Sequence, residues 1–166
     1  MANKKYKVTL LVAVDFTSYS KEALFFASKL AECLRAQIFV LHVIHDPAEA
    51  PGFYAQKGKK KKFLQSMEEA AEEMMEEFLK EMRRAHPDQR PIREAIPLLV
   101  VGTPVTRIIE IAEKKQASMI FIGSHGRTGL SHLLVGSKAE RVVQLSPIPV
   151  TVVKTSKKTK KLFSLI

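Results

Sequence analysis

Ser118-Met119-Ile120-Phe121-Ile122 runs directly into Gly123-Ser124-His125-Gly126. After nine intervening residues come Gly136-Ser137 and the segment Lys138 to Gln144. The first five residues are an apolar run of strand length, and the last segment reads as a helix. A strand, a glycine-rich loop and a helix start are the arrangement that aims backbone N–H groups at a phosphate. Neither of the two common phosphate loops is present: the chain contains no Gly-x4-Gly-Lys-[Ser/Thr] and no Gly-x-Gly-x2-Gly. The stretch predicts a parallel α/β unit with an anion cradle of another spacing.

The rest of the chain repeats this alternation. Tyr6 to Val14 and Gln37 to Ile44 are near-continuous apolar runs, as expected of strands covered on both faces. Between them, Thr17 to Ser20 offers helix caps, and Ala23, Leu24, Ala27, Leu30, Ala31 and Leu34 form a helical stripe over Lys21 to Arg35. Residues 46–62 hold Pro47, Pro51, Gly52 and Gly58 and read as a long basic loop. Phe63 to Arg84 reads as a helix with Phe63, Met67, Ala70, Met74, Phe78 and Met82 facing the core. Glu68, Glu69, Glu72, Glu73, Glu76 and Glu77 face outward. Pro87 and Pro91 end that helix. Arg93 to Val101 is the third strand, with Pro97 marking an edge or a bulge. Thr103-Pro104 then opens a helix to Lys115, and Pro149 to Lys154 is a fifth strand. Strands alternating with helices predict a doubly wound parallel sheet with helices on both faces. Residues 1–154 are read as one nucleotide-binding α/β domain and 155–166 as a basic tail.

The formal net charge of +10 resembles a nucleic-acid signal until it is located. Lys57 and Lys59 to Lys62 supply five charges, and Lys154, Lys157, Lys158, Lys160 and Lys161 supply five more. The remainder is balanced at 17 basic against 17 acidic residues. Charge confined to a loop and a tail disfavours nucleic acid. Solvated lysines are the plain reading, and an acidic protein partner or an anionic membrane surface is the alternative. The apolar end Leu162-Phe163-Ser164-Leu165-Ile166 either docks or stays unanchored. Cys33 is the sole cysteine, which precludes an internal disulfide and fits a reducing compartment; on a helix it is expected to be a small buried hydrophobe. Val8 to Val14 falls well short of the roughly 20 residues of a spanning helix, and no clean cleavage site follows it. The expected location is the cytoplasm.

In doubly wound sheets, ligands sit beyond the carboxyl ends of the strands where the strand order reverses. Asp15 follows the first strand, Val43 lies near the end of the second, and Gly123 to Gly136 follows the fourth. A carboxylate there accepts hydrogen bonds from a ribose or a base, and a main chain near Val43 reads an adenine edge. The glycines admit phosphates near the positive end of the helix that starts at Ser137. Each residue also has a structural reading. Ser137-x2-Glu140 fits a capping box, Asp15 fits a cap of the first helix or of the Thr17 turn, and Gly129 fits a simple turn. Arg127 either reaches phosphate oxygens or points to solvent. His125 reads as a positioned loop residue, and His42 as a hydrogen-bonded core histidine. His45, His86 and His132 lack metal-ligand spacing.

Gly123-x2-Gly126-x9-Gly136-Ser137 resembles the Gly-x2-Gly-x9-Gly-[Ser/Thr] signature of the universal stress protein family. The resemblance extends to Val12-Ala13-Val14-Asp15-Phe16-Thr17, Leu41-His42-Val43, Gly102-Thr103-Pro104 and Pro149-Val150-Thr151-Val152-Val153. It implies a five-stranded sheet of order 3-2-1-4-5 and the ATP-binding branch of the family. The cofactor-binding set it implies is Ala13, Val14, Asp15, Val43, Ile122, Gly123, His125, Gly126, Arg127, Gly136, Ser137 and Lys138. Asp15 would serve the ribose or adenine end and the Val43 main chain the adenine. Gly123, Gly126, Gly136 and Ser137 would contact phosphates, flanked by Ile122 and Lys138. ATP, or AMP or ADP, is the implied ligand, with Mg2+ or Mn2+ carried on the phosphates rather than by a protein cage. A homodimer through Val150 to Val153 is implied as well. The function read from this is a stress-response protein in which nucleotide occupancy controls a dimer or partner surface, with no catalytic residue assigned. The alternatives are a slow nucleotide hydrolase using Asp15 or His125, and a nucleotide-independent adaptor that binds an acidic partner through its lysines.

Overall fold

The structure, a computed structural model, describes residues 7–45, 57–126 and 135–154, and the side chains of all of these except 57–63. Its elements in chain order are β1 (Val8–Ala13), α1 (Ser18–Leu34), β2 (Ala36–Ile44), α2 (Lys57–Ala85), α3 (Arg90–Arg93), β3 (Ile96–Val101), α4 (Pro104–Lys114), β4 (Met119–Gly123), α5 (Ser137–Leu145) and β5 (Val150–Val153). The five strands form one parallel sheet, as the alternation of elements predicts, in the order β3-β2-β1-β4-β5 that the family resemblance implies. The order reverses between β1 and β4.

Side chains alternate across the sheet with the period of two that a strand imposes. Leu10, Val12, Ile38, Val40 and Phe121 face α1 and α2, while Leu11, Ala13, Leu41, Ile120 and Ile122 face α4 and α5. Both faces are covered, which is why the strands read as unbroken apolar runs. Ala23, Leu24, Ala27 and Ala31 bring α1 close to the sheet. Arg35, in the left-handed region at φ 50°, ends that helix.

Four local expectations are corrected. The lysine run lies within a helix, because α2 already begins at Lys57. Lys, Gln and Glu are good helix formers and no proline interrupts 57–85. The cost of about 1 kcal/mol for Gly58 is absorbed over 29 residues. The buried stripe of α2 is Ala71, Met75, Phe78, Leu79 and Met82, with Ala70 and Met74 exposed. Adjacent methionines at 74 and 75 satisfy either of two stripes, and packing on β2 and β3 selects the second. Residues 90–93, expected to be non-helical or at a strand start, form the short helix α3, with Pro91 in its first turn, where a missing N–H costs nothing. Cys33 is exposed, because it lies about 200° around α1 from Ala31, on the side away from the sheet. Pro97 is on edge strand β3, as expected. No helix among the described residues is long and apolar enough to cross a membrane.

Candidate functional site

A cavity of about 300 Å³ opens at the carboxyl end of the sheet, over the β1–β4 reversal. Its floor is apolar: Ala13 and Val14 from β1 and its exit, Leu41 and Val43 from β2, and Ile122 from β4. Pro104 and Ile108 of α4 and Met67 of α2 add to the walls.

On one side of the cavity stands the turn after β1. Asp15 Oδ1 accepts hydrogen bonds from the Thr17 N–H (3.2 Å), the Thr17 hydroxyl (2.6 Å) and the Ser20 hydroxyl (2.6 Å). The Asp15 N–H donates back to Ser20 Oγ at 2.9 Å. Three donors on one oxygen fix the rotamer of the carboxyl group. The expected Thr17 turn is therefore present. It coexists with the placement of Asp15 in the cavity wall.

The other side is built from the two glycine clusters. The Gly136 N–H donates to the Ser124 carbonyl at 2.6 Å, and the Ser124 N–H donates to the Val153 carbonyl at 2.8 Å. Gly136, at φ −69° and ψ 146°, is the N-cap of α5. The first turn bond runs from the Glu140 N–H to the Gly136 carbonyl. That leaves the N–H groups of Ser137, Lys138 and Ala139 outside the i→i−4 ladder, in residues that line the cavity. Ser137 is thus the first helical residue. Among the described residues no side chain caps α5, so the capping-box reading of Ser137 and Glu140 is not realised.

The glycines have different physical reasons. A Cβ on Gly126 would lie 2.9 Å from Asp15 Oδ2, so this glycine lets the loop touch the carboxylate across the cavity. A Cβ on Gly136 would stand 3.3 Å from the Ser124 carbonyl oxygen and 3.5 Å from His125 Cα. A Cβ on Gly123 would meet Tyr19 of α1 at 2.7 Å (Cβ) and 3.0 Å (main-chain carbon). Gly123 therefore seats α1 on β4 as well as lining the cavity. His125 is held by Ser124 Oγ at 3.0 Å from its Nδ1 and by the Tyr19 ring, centroids 5.1 Å apart.

The register of β2 turns the main-chain groups of Val43 toward the β1 side. Leu41 O, two residues earlier, accepts the Val14 N–H, while Ile44 O accepts the Gly102 N–H from the β3 side. Odd residues of β2 thus turn their polar groups toward β1, which leaves the sheet just where Val43 arrives. Of the anticipated residues, Ala13, Val14, Asp15, Val43, Ile122, Gly123, His125, Gly126, Gly136, Ser137 and Lys138 all line this one cavity, and Arg127 lies outside the described residues. Unanticipated wall residues are Ser20, Leu41, His42, His45, Met67, Pro104, Ile108, Ser124 and Ala139. His42 carried a signal, being a polar residue in an apolar strand. It is half-buried and its Nδ1 is 2.8 Å from the Val14 carbonyl oxygen.

The sequence profile of the universal stress protein family matches residues 8–154. The chain belongs to the universal stress protein family. Universal stress protein MJ0531 of Methanocaldococcus jannaschii is 31% identical over 149 residues, covering 90% of this chain and 83% of that protein. Among solved folds, the universal stress protein UspA from Lactobacillus plantarum superposes with a TM-score of 0.71 at 20% identity, covering 89% of this chain and 98% of that one. The universal stress protein from Archaeoglobus fulgidus solved in complex with dAMP superposes with a TM-score of 0.59 at 22% identity, covering 90% and 99%.

Proposed function

We propose that this universal stress protein binds an adenine nucleotide, ATP by preference, and that occupancy controls a dimer or partner surface. One observation carries the reading. A carboxylate and a helix N-terminus face each other across a cavity whose two approach points are glycines that a Cβ would crowd. The N–H groups opening α5 suit a phosphate. The Asp15 carboxylate suits a hydrogen-bond donor on the ribose or base, and the apolar floor with the Val43 main chain suits an adenine. The fold accommodates dAMP in the Archaeoglobus protein. A divalent ion would ride on the phosphates, with Mg2+ or Mn2+ supplying charge neutralisation there.

The same loop reaches the edge of the sheet. Ser124 bonds Gly136 on one side and Val153 on the other, so the cradle and the end of β5 share a residue. Among the described residues β5 pairs only with β4, and half-exposed Val143 and Leu145 lie on the neighbouring α5. An apolar edge strand invites pairing, and a second copy adding across Val150 to Val153 would cover it. Nucleotide at the cradle then acts one hydrogen bond from the dimer strand.

Titration calorimetry with ATP, ADP and AMP tests the binding. Asp15→Ala is expected to weaken ATP about tenfold to a hundredfold, the loss expected for a hydrogen bond to a charged group. Gly136→Val is expected to weaken it at least as much by filling the cradle. Unchanged affinity in a folded Gly136→Val protein refutes the reading. Sedimentation velocity with and without ATP reads the dimer, and Val152→Pro, which removes an outward-facing N–H of β5, is expected to shift it toward monomer.

A further inference from the structure

We infer that His42 is the positioning residue of the Asp15 turn, holding the carboxylate in its binding geometry without itself being required to touch the nucleotide; this rests on the adenine-nucleotide reading. The sheet supports β1 only as far as Ala13, paired with Leu41, and the Val14 N–H on the Leu41 carbonyl. Beyond that point the chain is held by side chains. Phe16 has φ 67°, the left-handed region, which a bulky non-glycine residue adopts only when its surroundings impose it.

His42 supplies that constraint from both flanks of Asp15. Its Nδ1 lies 2.8 Å from the carbonyl oxygen of Val14, the residue before. A carbonyl only accepts, so Nδ1 carries the proton. Its ring packs on the ring of Phe16, the residue after, at 4.3 Å between centroids and 37° between planes. Phe78 of α2 meets the Phe16 ring edge-on at 5.7 Å between centroids. His42 is a fixed post, because β2 is paired on both sides at this level, Leu41 with Ala13 and His42 itself with Leu99. The internal ties of the turn, Thr17 and Ser20 to Asp15 Oδ1, orient the carboxylate relative to the turn. His42 orients the turn relative to the sheet, and so relative to the glycine cradle across the cavity. A carboxylate held in place before the ligand arrives spares the ligand the cost of ordering it.

The test is a double-mutant cycle in the full chain, read by ATP calorimetry, together with amide hydrogen exchange of the nucleotide-free protein. His42→Phe keeps the ring packing and removes the donor. His42→Asn keeps a donor near Nδ1 and removes the ring, and it carries the same cycle if His42→Phe does not fold. Each is expected to weaken ATP about tenfold, a lost positioning hydrogen bond or stack. In the Asp15→Ala background the same changes are expected to have no further effect, because His42 acts through Asp15. Exchange is expected to rise across Asp15 to Ser20 and to stay unchanged in β4 and α5. Losses that multiply with Asp15→Ala, wild-type affinity in both His42 variants, or unchanged exchange at the turn each overturn the inference. Wild-type protein that binds no adenine nucleotide overturns the functional reading instead, and the clamp on the turn then stands or falls on exchange alone.

Discussion

Gly123→Ala is expected to damage the fold before it damages binding. The new Cβ would sit 2.7 Å from Tyr19 Cβ, 3.0 Å from the Tyr19 main-chain carbon and 3.1 Å from its carbonyl oxygen. Comfortable carbon–carbon separation is about 3.5–4.0 Å, so α1 must retreat by roughly 1 Å from β4. None of the three atoms is the end of a flexible side chain, so no rotamer change relieves the clash. Overpacking of this kind costs about 1–3 kcal/mol. In a domain of this size each kcal/mol moves the melting temperature by about 2–4 °C, so the fall is about 6 °C, within a span of roughly 2–12 °C. Thermal unfolding by circular dichroism without nucleotide measures it. Tyr19→Ala is the control that makes the argument specific. It keeps the Cβ and the main chain, so the penalty of Gly123→Ala is expected to persist in that background. A melting temperature within about 1 °C of wild type, or full rescue by Tyr19→Ala, refutes the packing role.

The adjacent methionines of α2 separate by burial: Met75→Ala, 3% exposed, is expected to cost about 2–5 kcal/mol in urea unfolding, and Met74→Ala, 41% exposed, to fall within about 0.5 kcal/mol of wild type. His86 stacks on Phe25 at 4.3 Å, and burial holds its pKa below the usual 6.5, with Glu22 opposing and Lys29 assisting. The unfolded chain therefore takes up the proton first, so stability is unaffected well above pH 6.5, declines as the pH falls through that value and levels off below the folded pKa. His86→Leu is expected to flatten this part of the profile of unfolding free energy against pH. Lys21→Ala breaks the exposed 2.6 Å pair with Glu81, and its expected cost of less than about 1 kcal/mol should shrink further in added salt.

The doubly wound parallel sheet and the membership of the cavity wall were legible in the sequence because both follow from positions along the chain, whereas the strand order came from the family resemblance of the glycine signature. Strand ends are marked where apolar runs stop, and in a doubly wound sheet the stops at Asp15, Ile44 and Gly123 share one rim. What was not legible depended on choices that a one-dimensional pattern leaves degenerate. Met74 and Met75 offer two equally good helical stripes, and only the sheet beneath selects one. Gly58 reads as a loop residue until the 27 residues that follow it in the helix are seen to carry it. Ser137 has the spacing of a capping residue, yet the chain turns one position earlier and Gly136 becomes the cap. Gly123 belongs to the phosphate signature by spacing, and only the proximity of Tyr19 shows its second duty. His42 is a single polar residue in an apolar strand. Its partners, Val14 and Phe16, are more than 25 residues away, and no local pattern announces them.

The bond from the Gly136 N–H to the Ser124 carbonyl, at 2.6 Å, fixes both ends of the segment between them. For a chain with pinned ends, closure entropy grows only with the logarithm of length, so doubling the loop costs about 0.6 kcal/mol. The nine-residue spacing is therefore not what keeps the cradle shut. Closure of the cradle is set where Ser124 and Gly136 meet, not by the spacing between them.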